Sequence, residues 1–209
     1  MHLNITTSQK QRIVFVINSL EGGGAERVLS ILLDQLAPAL PHADLYLILL
    51  DQATERYSIP PSINKITLDC RGSMPASMLQ LWQTLRRIAP DVVMSFLNRA
   101  NCANIIAARL LGYRCIVSER VNTSSHFGNS LKGRLNKAVV RWLYPLADQV
   151  LVVSKGVGSE LERNFGVPAH RLHVIYNPYD LPKLAALAAE TPALQIEGDY
   201  IVSVGRLVP

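Results

Sequence analysis

The chain has 209 residues, of which 49% are hydrophobic and 18% are charged. This composition is typical of a globular protein with a large core, and it excludes a disordered or fibrous chain. The 21 Lys and Arg outnumber the 16 Asp and Glu to give a net charge of +5, a mild excess that suits phosphate-bearing ligands or an anionic membrane surface better than nucleic acid.

The cysteines and the apolar runs limit where the protein works. Cys70, Cys102 and Cys115 show no C-x-x-C spacing, so we expect reduced thiols and neither a disulfide framework nor a zinc site. Residues 1–11 are polar and lack the apolar run of a signal peptide. The apolar run Leu45–Leu50 is too short to span a bilayer. We therefore expect a cytoplasmic protein that at most lies on the inner face of the membrane.

Apolar strand-like runs alternate with helix-like segments along most of the chain. Such alternation indicates parallel strands joined by helical crossovers. The predicted strands are Ile13–Ile17, Leu45–Leu50, Lys65–Leu68, Val92–Phe96, Cys115–Ser118, Val150–Val153 and His173–Ile175. The sequence therefore predicts an α/β fold, a Rossmann-like doubly wound parallel sheet of about seven strands, over residues 12–180.

Four segments between these strands place apolar residues at helical spacing. They are Ala25–Leu36, Ala76–Ile88, Asn101–Leu111 and Lys155–Phe165. Pro38 and Pro41 are expected to end the first helix, whereas Gly112 and Gly166 are natural residues to follow the third and fourth.

A run of three glycines, Gly22–Gly24, joins the first strand to the first helix. The helix is predicted to begin at Gly24 or Ala25, so its unpaired N–H groups would point into the turn and favour a phosphate. The run is neither a Walker A loop nor a G-x-G-x-x-G motif. From these residues alone, a phosphate site and a tight turn without a ligand are about equally supported.

The chain changes character after Asn177. Residues 181–199 read as a helical and loop-like linker, and residues 200–209 read as a buried strand that enters a glycine turn. A strand without its following helix is an unfinished βα unit, so we expect the chain to be a truncated form of a longer protein.

Taken together, the motifs resemble those of the retaining glycosyltransferases of the GT-B fold assigned to family 4. The resemblance covers Ile13 to Leu207. Its carriers are Glu21–Arg27, Pro90–Ser95, Val117–Arg120, Ala147–Ser154, Val174–Asn177 with Asp180, and Val202–Leu207. It implies two Rossmann-type domains that face a cleft, the first binding the acceptor and the second the nucleotide sugar. Here the second domain is represented only by its opening strand, so the fragment is expected to be inactive alone.

The resemblance assigns a donor role to two parts of the chain. It implies that Gly22, Gly23 and Gly24 lie across the cleft from the donor diphosphate, where fixed N–H donors can stabilise the charge on the leaving group. Arg206 matches a family arginine that contacts the same diphosphate. No cofactor and no metal ion are expected beyond the nucleotide-sugar co-substrate.

Other residues are candidates for the acceptor site. Glu26 either gains about 0.3–1 kcal/mol from the helix dipole or lies near the acceptor. Glu119 and Arg120 follow a buried strand and are the catalytic candidates. Arg120 could hold an acceptor phosphate with its guanidinium fork, or the two could form a surface ion pair. Ser118-Glu119-Arg120 stands where many family members have a histidine.

Two further stretches lie on the same rim. Arg99 is a candidate to bind acceptor hydroxyl groups, whereas Asn101 is expected to cap the following helix. His126 lies in the polar loop Asn122–Ser130, which could act as a mobile lid, although a lone loop histidine is more often simply solvated.

The segment Leu131–Leu146 has patterned charges. One helical face carries Leu131, Leu135, Ala138, Val139 and Trp142, and the flanks carry Lys132, Arg134, Lys137 and Arg141. Helices that lie on lipid have this layout. We expect the apolar face to pack on the core and the basic flank to be either solvated or docked on an anionic membrane surface.

These observations lead to one main expectation and two alternatives. The chain is expected to be the acceptor half of an enzyme that moves a hexose or N-acetylhexosamine from a UDP- or GDP-sugar to a lipid-linked or polysaccharide acceptor in cell-surface glycan synthesis. An alternative is a stand-alone binding module that pairs with a separate donor-binding chain, or self-associates through its terminal strand. A dinucleotide-dependent oxidoreductase is the weakest alternative, because only Asp51 supplies an acidic residue after the second strand.

Overall fold

The computed structural model describes residues 10–128, 130–179, 181–191, 198 and 201. The side chains of Ser125, His126 and Lys183 lie outside this description. The chain divides into two compact units, one up to Asn177 and one from Pro178 onward. The predicted loose N-terminus, the predicted terminal strand and Arg206 lie almost wholly outside the described residues.

The first unit is built on one seven-stranded sheet in which all adjacent strands are parallel. This confirms the predicted Rossmann-like doubly wound fold. The strand order is β3-β2-β1-β4-β5-β6-β7. The strands are β1 (Gln11–Ile17), β2 (Ala43–Leu49), β3 (Asn64–Thr67), β4 (Val92–Phe96), β5 (Arg114–Glu119), β6 (Gln149–Val152) and β7 (Leu172–Val174).

Helices connect these strands, mostly as the apolar spacing predicts. They are α1 (Gly24–Ala39), α2 (Met74–Ile88), α3 (Asn98–Leu111), α4 (Thr123–Phe127), α5 (Leu131–Leu143) and α6 (Lys155–Phe165), with α7 (Leu181–Ala188) in the second unit. Short 3₁₀ turns follow α5 and precede β7. The expectation that Pro38 ends α1 is wrong, because the helix continues to Ala39 and Pro38 lies inside its last turn. Pro38 has no N–H to donate to the turn before it, and the helix ends one residue later.

The core forms on both faces of the sheet because side chains alternate along each strand. Val14 and Val16 of β1 belong to one buried cluster with Leu81 and Leu85 of α2. Phe15 and Ile17 of the same strand belong to the other cluster, which also holds residues of α1 such as Leu29. The central strand is therefore apolar throughout, as expected for a parallel strand covered on both sides.

The strand order places the ligand-binding edge of the sheet. The chain runs outward from β1 to β3 and then returns through α2 to β4 on the other side of β1. The connections that follow β1 and β4 lead to opposite sides of the sheet. They leave a crevice beyond the carboxyl ends of these two strands, and open α/β sheets bind their ligands in such a crevice. We call this the carboxyl edge; β1, β4 and β5 end there at Ile17, Phe96 and Glu119.

Candidate functional site

The glycine turn opens onto the carboxyl edge, as the sequence predicts. Gly22 has φ of 129°, a conformation that side-chain-bearing residues rarely adopt. Gly23 is extended, and α1 begins at Gly24 without a side-chain cap. A Cβ added at Gly24 would meet nothing within 4 Å. The start of α1 therefore has no side-chain cap and leaves open space beside Gly24, and both features suit an anion site.

Arg120 is held beside this turn. Its guanidinium donates to Asn177 Oδ1 and to Ser118 Oγ, the latter at 3.5 Å. Burial lowers the pKa of Arg120, while the negative charges of Glu26 and Glu119 act in the opposite direction. Glu26 in the first turn of α1 is therefore an electrostatic neighbour of Arg120. The structure thus brings these three predicted residues together at one rim and adds Asn177, which sequence reasoning missed as a site residue.

Glu119 is not a surface group, so the interpretation of a surface ion pair with Arg120 is wrong. Its side chain is buried, with 3% of the residue exposed. One carboxylate oxygen accepts from the Tyr144 hydroxyl at 2.6 Å. The other accepts from the backbone N–H groups of Arg120 at 2.9 Å and Val121 at 3.3 Å. Glu119 therefore fixes the backbone that leaves β5.

Asn101 does not cap a helix, and that expectation is corrected. Helix α3 begins three residues earlier, at Asn98, and Asn101 is fully buried in its first turns. Its amide donates to Tyr144 Oη at 3.0 Å and to the Ser118 carbonyl at 3.1 Å. It also accepts from Ser95 Oγ at 2.9 Å. A continuous buried network therefore joins β4, α3 and β5 beneath the carboxyl edge.

Asn104 extends this network toward the amino end of the strands. Its amide donates to Ser95 Oγ at 3.0 Å and to two strand carbonyls, and its carbonyl accepts from Tyr113 Oη at 2.9 Å. A signal for this network was present in the sequence, because Asn101 and Asn104 stand at helical spacing with the apolar Ile105 and Ala108. Helical spacing places all four on the side of α3 that faces the sheet.

Arg99 is engaged in an ion pair at the same edge. Its guanidinium pairs with Asp51, which follows β2, and donates to Ser77 Oγ at 2.9 Å. Burial raises the pKa of Asp51, but hydrogen bonds from Arg99 and the Gly72 N–H, with the charge of Arg99, outweigh it and hold that pKa below 3.8. Arg99 therefore links the start of α3 to the loop after β2 and to α2. Asp51, the acidic residue on which the oxidoreductase alternative depended, is occupied by this pair.

Two buried amide atoms at the carboxyl edge have no hydrogen-bond partner among the described residues. They are Asn18 Oδ1, directly after β1, and Asn98 Nδ2, at the start of α3. Both residues lie just beyond the carboxyl ends of the paired strands β1 and β4. One atom is an acceptor and the other a donor, and the described residues supply a partner to neither. The sequence pattern offers no signal for the first of them, because a polar residue at a strand end is ordinary.

The segment that carries His126 is a helix where a polar loop was predicted. Helix α4 spans Thr123–Phe127. The Glu160 carboxylate accepts from the N–H groups of Thr123 at 3.1 Å and Ser124 at 2.7 Å. A buried acid on α6 therefore anchors the start of α4, and the side chain of His126 lies outside the described residues.

Helix α5 differs from expectation in its burial. Leu131, Leu135 and Trp142 are 85%, 65% and 77% exposed. The helix buries its opposite side instead, through Gly133 and Val140. Of the predicted apolar face, Val139 packs against the core as expected. The expectation is wrong for Leu131, Leu135, Ala138 and Trp142, which are exposed because the helix packs through Gly133 and Val140 on its other side. The predicted basic flanks remain beside it, with Lys132, Arg134 and Arg141 exposed and Lys137 half-buried.

The described residues show neither a metal-binding cluster nor a membrane-spanning helix. In the part of the chain that the structure describes, no three His, Cys, Asp or Glu side chains are grouped as a metal site would need. Among the same residues, no helix combines the length and hydropathy needed to cross a membrane.

Comparison with protein families gives one match. The model for Glycosyltransferase Family 4 matches residues 22–183, which is more than half of the chain. The matched region begins at the glycine turn and includes every described strand from β2 to β7.

One curated relative comes from Campylobacter jejuni subsp. jejuni serotype O:2. It is N-acetylgalactosamine-N,N'-diacetylbacillosaminyl-diphospho-undecaprenol 4-alpha-N-acetylgalactosaminyltransferase, 32% identical over 211 aligned residues. The alignment covers 94% of this chain and 55% of the relative. The chain thus spans about half the length of the curated relative that it matches.

Solved structures share the fold at low identity. The lipopolysaccharide outer core galactosyltransferase WaaB matches with a TM-score of 0.62 and 16% identity, over 81% of this chain and 46% of that one. Anabaena Alr3699/HepE in complex with UDP matches with a TM-score of 0.60 and 21% identity, over 82% and 45%. The fold of this chain therefore corresponds to about half of each of these two chains.

Proposed function

The chain belongs to Glycosyltransferase Family 4, and we propose that it is the acceptor-binding half of a retaining transferase. The complete enzyme would move an N-acetylhexosamine or hexose from a UDP-sugar to a polyprenyl-diphosphate-linked glycan on the cytoplasmic face of the membrane. The Campylobacter relative, named for transfer to a diphospho-undecaprenol acceptor, supports this choice of acceptor. The structure of HepE with UDP supports the choice of nucleotide.

The observation that carries the proposal is the convergence of polar groups at the carboxyl edge. The first turn of α1, Arg120 with its neighbour Glu26, and the unpartnered atoms Asn18 Oδ1 and Asn98 Nδ2 all lie after strands that end there. A sugar diphosphate needs a cation, fixed N–H donors and hydrogen-bonding groups for its hydroxyls. The rim supplies each of these from this chain.

Each group has a role in the proposed transfer. The N–H groups at the start of α1 would stabilise negative charge on the departing donor diphosphate, since they are already oriented and need no reorganisation. Arg120 would hold an acceptor phosphate at the carboxyl edge. The negative charge of its neighbour Glu26 would disfavour the binding of further anions there. Glu119 acts through the backbone of Arg120 and is therefore proposed to position that residue. Arg206, which lies outside the described residues, stays a predicted contact of the donor diphosphate, and no metal ion is proposed.

Calorimetric titration tests this assignment. The chain should bind a short-chain prenyl diphospho-N-acetylhexosamine, and Arg120→Gln should weaken that binding by at least about tenfold, as expected when a charged hydrogen-bonding partner is removed. Arg109→Gln, on the exposed end of α3, is the matched control and should bind as the wild type does. UDP-N-acetylgalactosamine alone should bind more weakly than the acceptor.

Two outcomes would contradict the proposal. One is tight binding of the nucleotide sugar with no binding of the acceptor, which would make this half the donor domain. The other is equal acceptor affinity for the wild type and Arg120→Gln. Circular dichroism of each variant separates loss of binding from loss of fold.

A further inference from the structure

Helix α5 carries an exposed apolar face that nothing in its own fold requires. The face is formed by Leu131, Leu135, Ala138 and Trp142, which recur at intervals of four, three and four residues and so lie along one side of a helix. All four are exposed. A contiguous exposed apolar strip with polar residues beside it is typical of an interaction site.

The helix is fixed so that this face must point outward. Ser130 Oγ caps the helix by accepting from the Gly133 N–H at 3.1 Å. A Cβ on Gly133 would lie 2.1 Å from the carbonyl oxygen of Phe127, so α5 approaches the end of α4 closely at this residue. Val140 is buried on the same side, and Val139 and Leu143 pack against the core. These contacts fix the orientation of α5 so that the apolar strip faces away from the core.

The chain segment that carries this face has charged residues of one sign only. From Val121 to Ala147 the sequence contains no Asp or Glu. On the helical projection, Arg134, Arg141 and Lys137 lie on one side of the apolar strip and Lys132 lies on the other. Exposed cationic side chains can extend beside an apolar surface and keep their charged ends in the polar layer above it.

These observations select one occupant. A second copy of the chain would bring identical positive flanks together across a two-fold axis, which like-charge repulsion opposes. An anionic bilayer complements both features, because acyl chains accept the leucines while headgroups accept the lysines and arginines. Trp142 suits the boundary between the two, where an apolar ring with one N–H donor is most stable.

We propose that the strip Leu131–Leu135–Ala138–Trp142 inserts into the anionic surface of a lipid bilayer, with Lys132, Arg134 and Arg141 on its headgroups. This inference rests on the proposed function only in that a lipid-linked acceptor gives a reason to dock. It assigns α5 to the lipid surface and leaves the carboxyl edge to the acceptor. The basic side chains alone would only attract the protein to anionic headgroups. The apolar strip adds the insertion of its side chains among the acyl chains.

Vesicle co-sedimentation of the whole chain tests the inference. Wild-type protein should bind vesicles of equal parts phosphatidylcholine and phosphatidylglycerol, and more weakly those of phosphatidylcholine alone. The triple variant Leu131→Ser, Leu135→Ser, Trp142→Ser should lose binding by at least about tenfold, because burial of apolar surface drives insertion. The matched control, Leu79→Ser with Leu110→Ser, removes exposed leucines from α2 and α3 and should bind as the wild type does.

Three further readouts identify the occupant. Replacement of Lys132, Arg134 and Arg141 by Ser should abolish the preference for phosphatidylglycerol, and Trp142 fluorescence should shift to the blue on binding, by comparison with Trp142→Phe. Wild-type vesicle binding that the triple variant retains would overturn the inference, as would no binding at all. A triple variant that changes only the oligomeric state in light scattering would show a second copy as the occupant. Acceptor calorimetry without vesicles is unaffected by any of these failures, so it tests the proposed function separately.

Discussion

The ion pair between Asp51 and Arg99 is the residue-scale feature that most clearly links the carboxyl edge to stability. Both side chains are largely buried, at 21% and 14% exposure. Asp51 also accepts from the Gly72 N–H at 3.0 Å, so its carboxylate ties together the loops that follow β2 and precede α2. Removal of the carboxylate leaves a buried guanidinium without its charge partner.

Asp51→Asn is therefore expected to destabilise the chain by about 1–3 kcal/mol at neutral pH. The folded-state pKa of Asp51 lies below 3.8, so its carboxylate stabilises the fold above that value, and this contribution is lost as pH falls through the folded-state pKa. Unfolding in guanidinium chloride measures the free energy of unfolding of wild type and variant. The difference between the two should be smaller at acidic pH than at neutral pH.

Asp44→Asn is the control for that measurement. Asp44 meets Lys10 at 3.9 Å with both side chains well exposed, and such pairs contribute little. Equal stability of wild type and Asp51→Asn at neutral pH would contradict the structural role of the ion pair.

The residues that the sequence could not assign share one property. Asn101 was taken for a helix cap because it follows a strand, but it lies inside α3 and bonds to Tyr144 and Ser118. The sequence leaves Glu119 as a catalytic candidate or as half of a surface ion pair, whereas the buried side chain accepts a hydrogen bond from Tyr144. Each of these partners is distant in the chain, so local patterns of capping and charge could not identify the pairing.

At the scale of elements, the alternation of apolar runs predicted all seven strands within one or two residues. This succeeded because strands buried on both faces are continuous apolar runs. The start of α3 was missed because Leu97 adopts φ of 72°, a conformation that apolar residues rarely take and that no sequence pattern signals. The outward face of α5 was missed because amphipathic spacing gives a helix an apolar side without telling whether protein or lipid covers it.

The junction of α4 and α5 supports a prediction about packing. Gly133→Ala should destabilise the chain by about 1–3 kcal/mol, because the new methyl group would lie 2.1 Å from the Phe127 carbonyl oxygen. The helix propensity gained with alanine offsets up to about 1 kcal/mol of this cost. Thermal unfolding measures the difference, and hydrogen exchange should locate it at α4.

Gly156→Ala in α6 is the matched substitution. Its Cβ would meet only Ser154 Oγ, at 3.8 Å, so stability should be unchanged or slightly higher. If Gly133→Ala were as stable as Gly156→Ala, the close approach of α4 and α5 would not constrain the orientation of α5.

At the scale of the whole molecule, the chain corresponds to about half of its relatives. The curated relative is covered over 55% of its length, and the WaaB and HepE structures over 46% and 45%. The sequence motifs predicted the fold and the family because the order of several short segments is more specific than any one of them. Arg206, which the resemblance predicts to contact the donor diphosphate, lies outside the described part of the chain, and its role stays a prediction.

The central claim is that the carboxyl edge of this sheet binds the acceptor. Backbone amide chemical shifts, followed while the chain is titrated with a short-chain prenyl diphospho-N-acetylhexosamine, test it most directly. The account predicts that the shifting amides cluster in residues 18–26, 97–101 and 118–123, at the ends of β1, β4 and β5. Shifts confined to the opposite edge, at residues 40–42, 89–91 and 112–113, or no shifts at saturating acceptor, would contradict it.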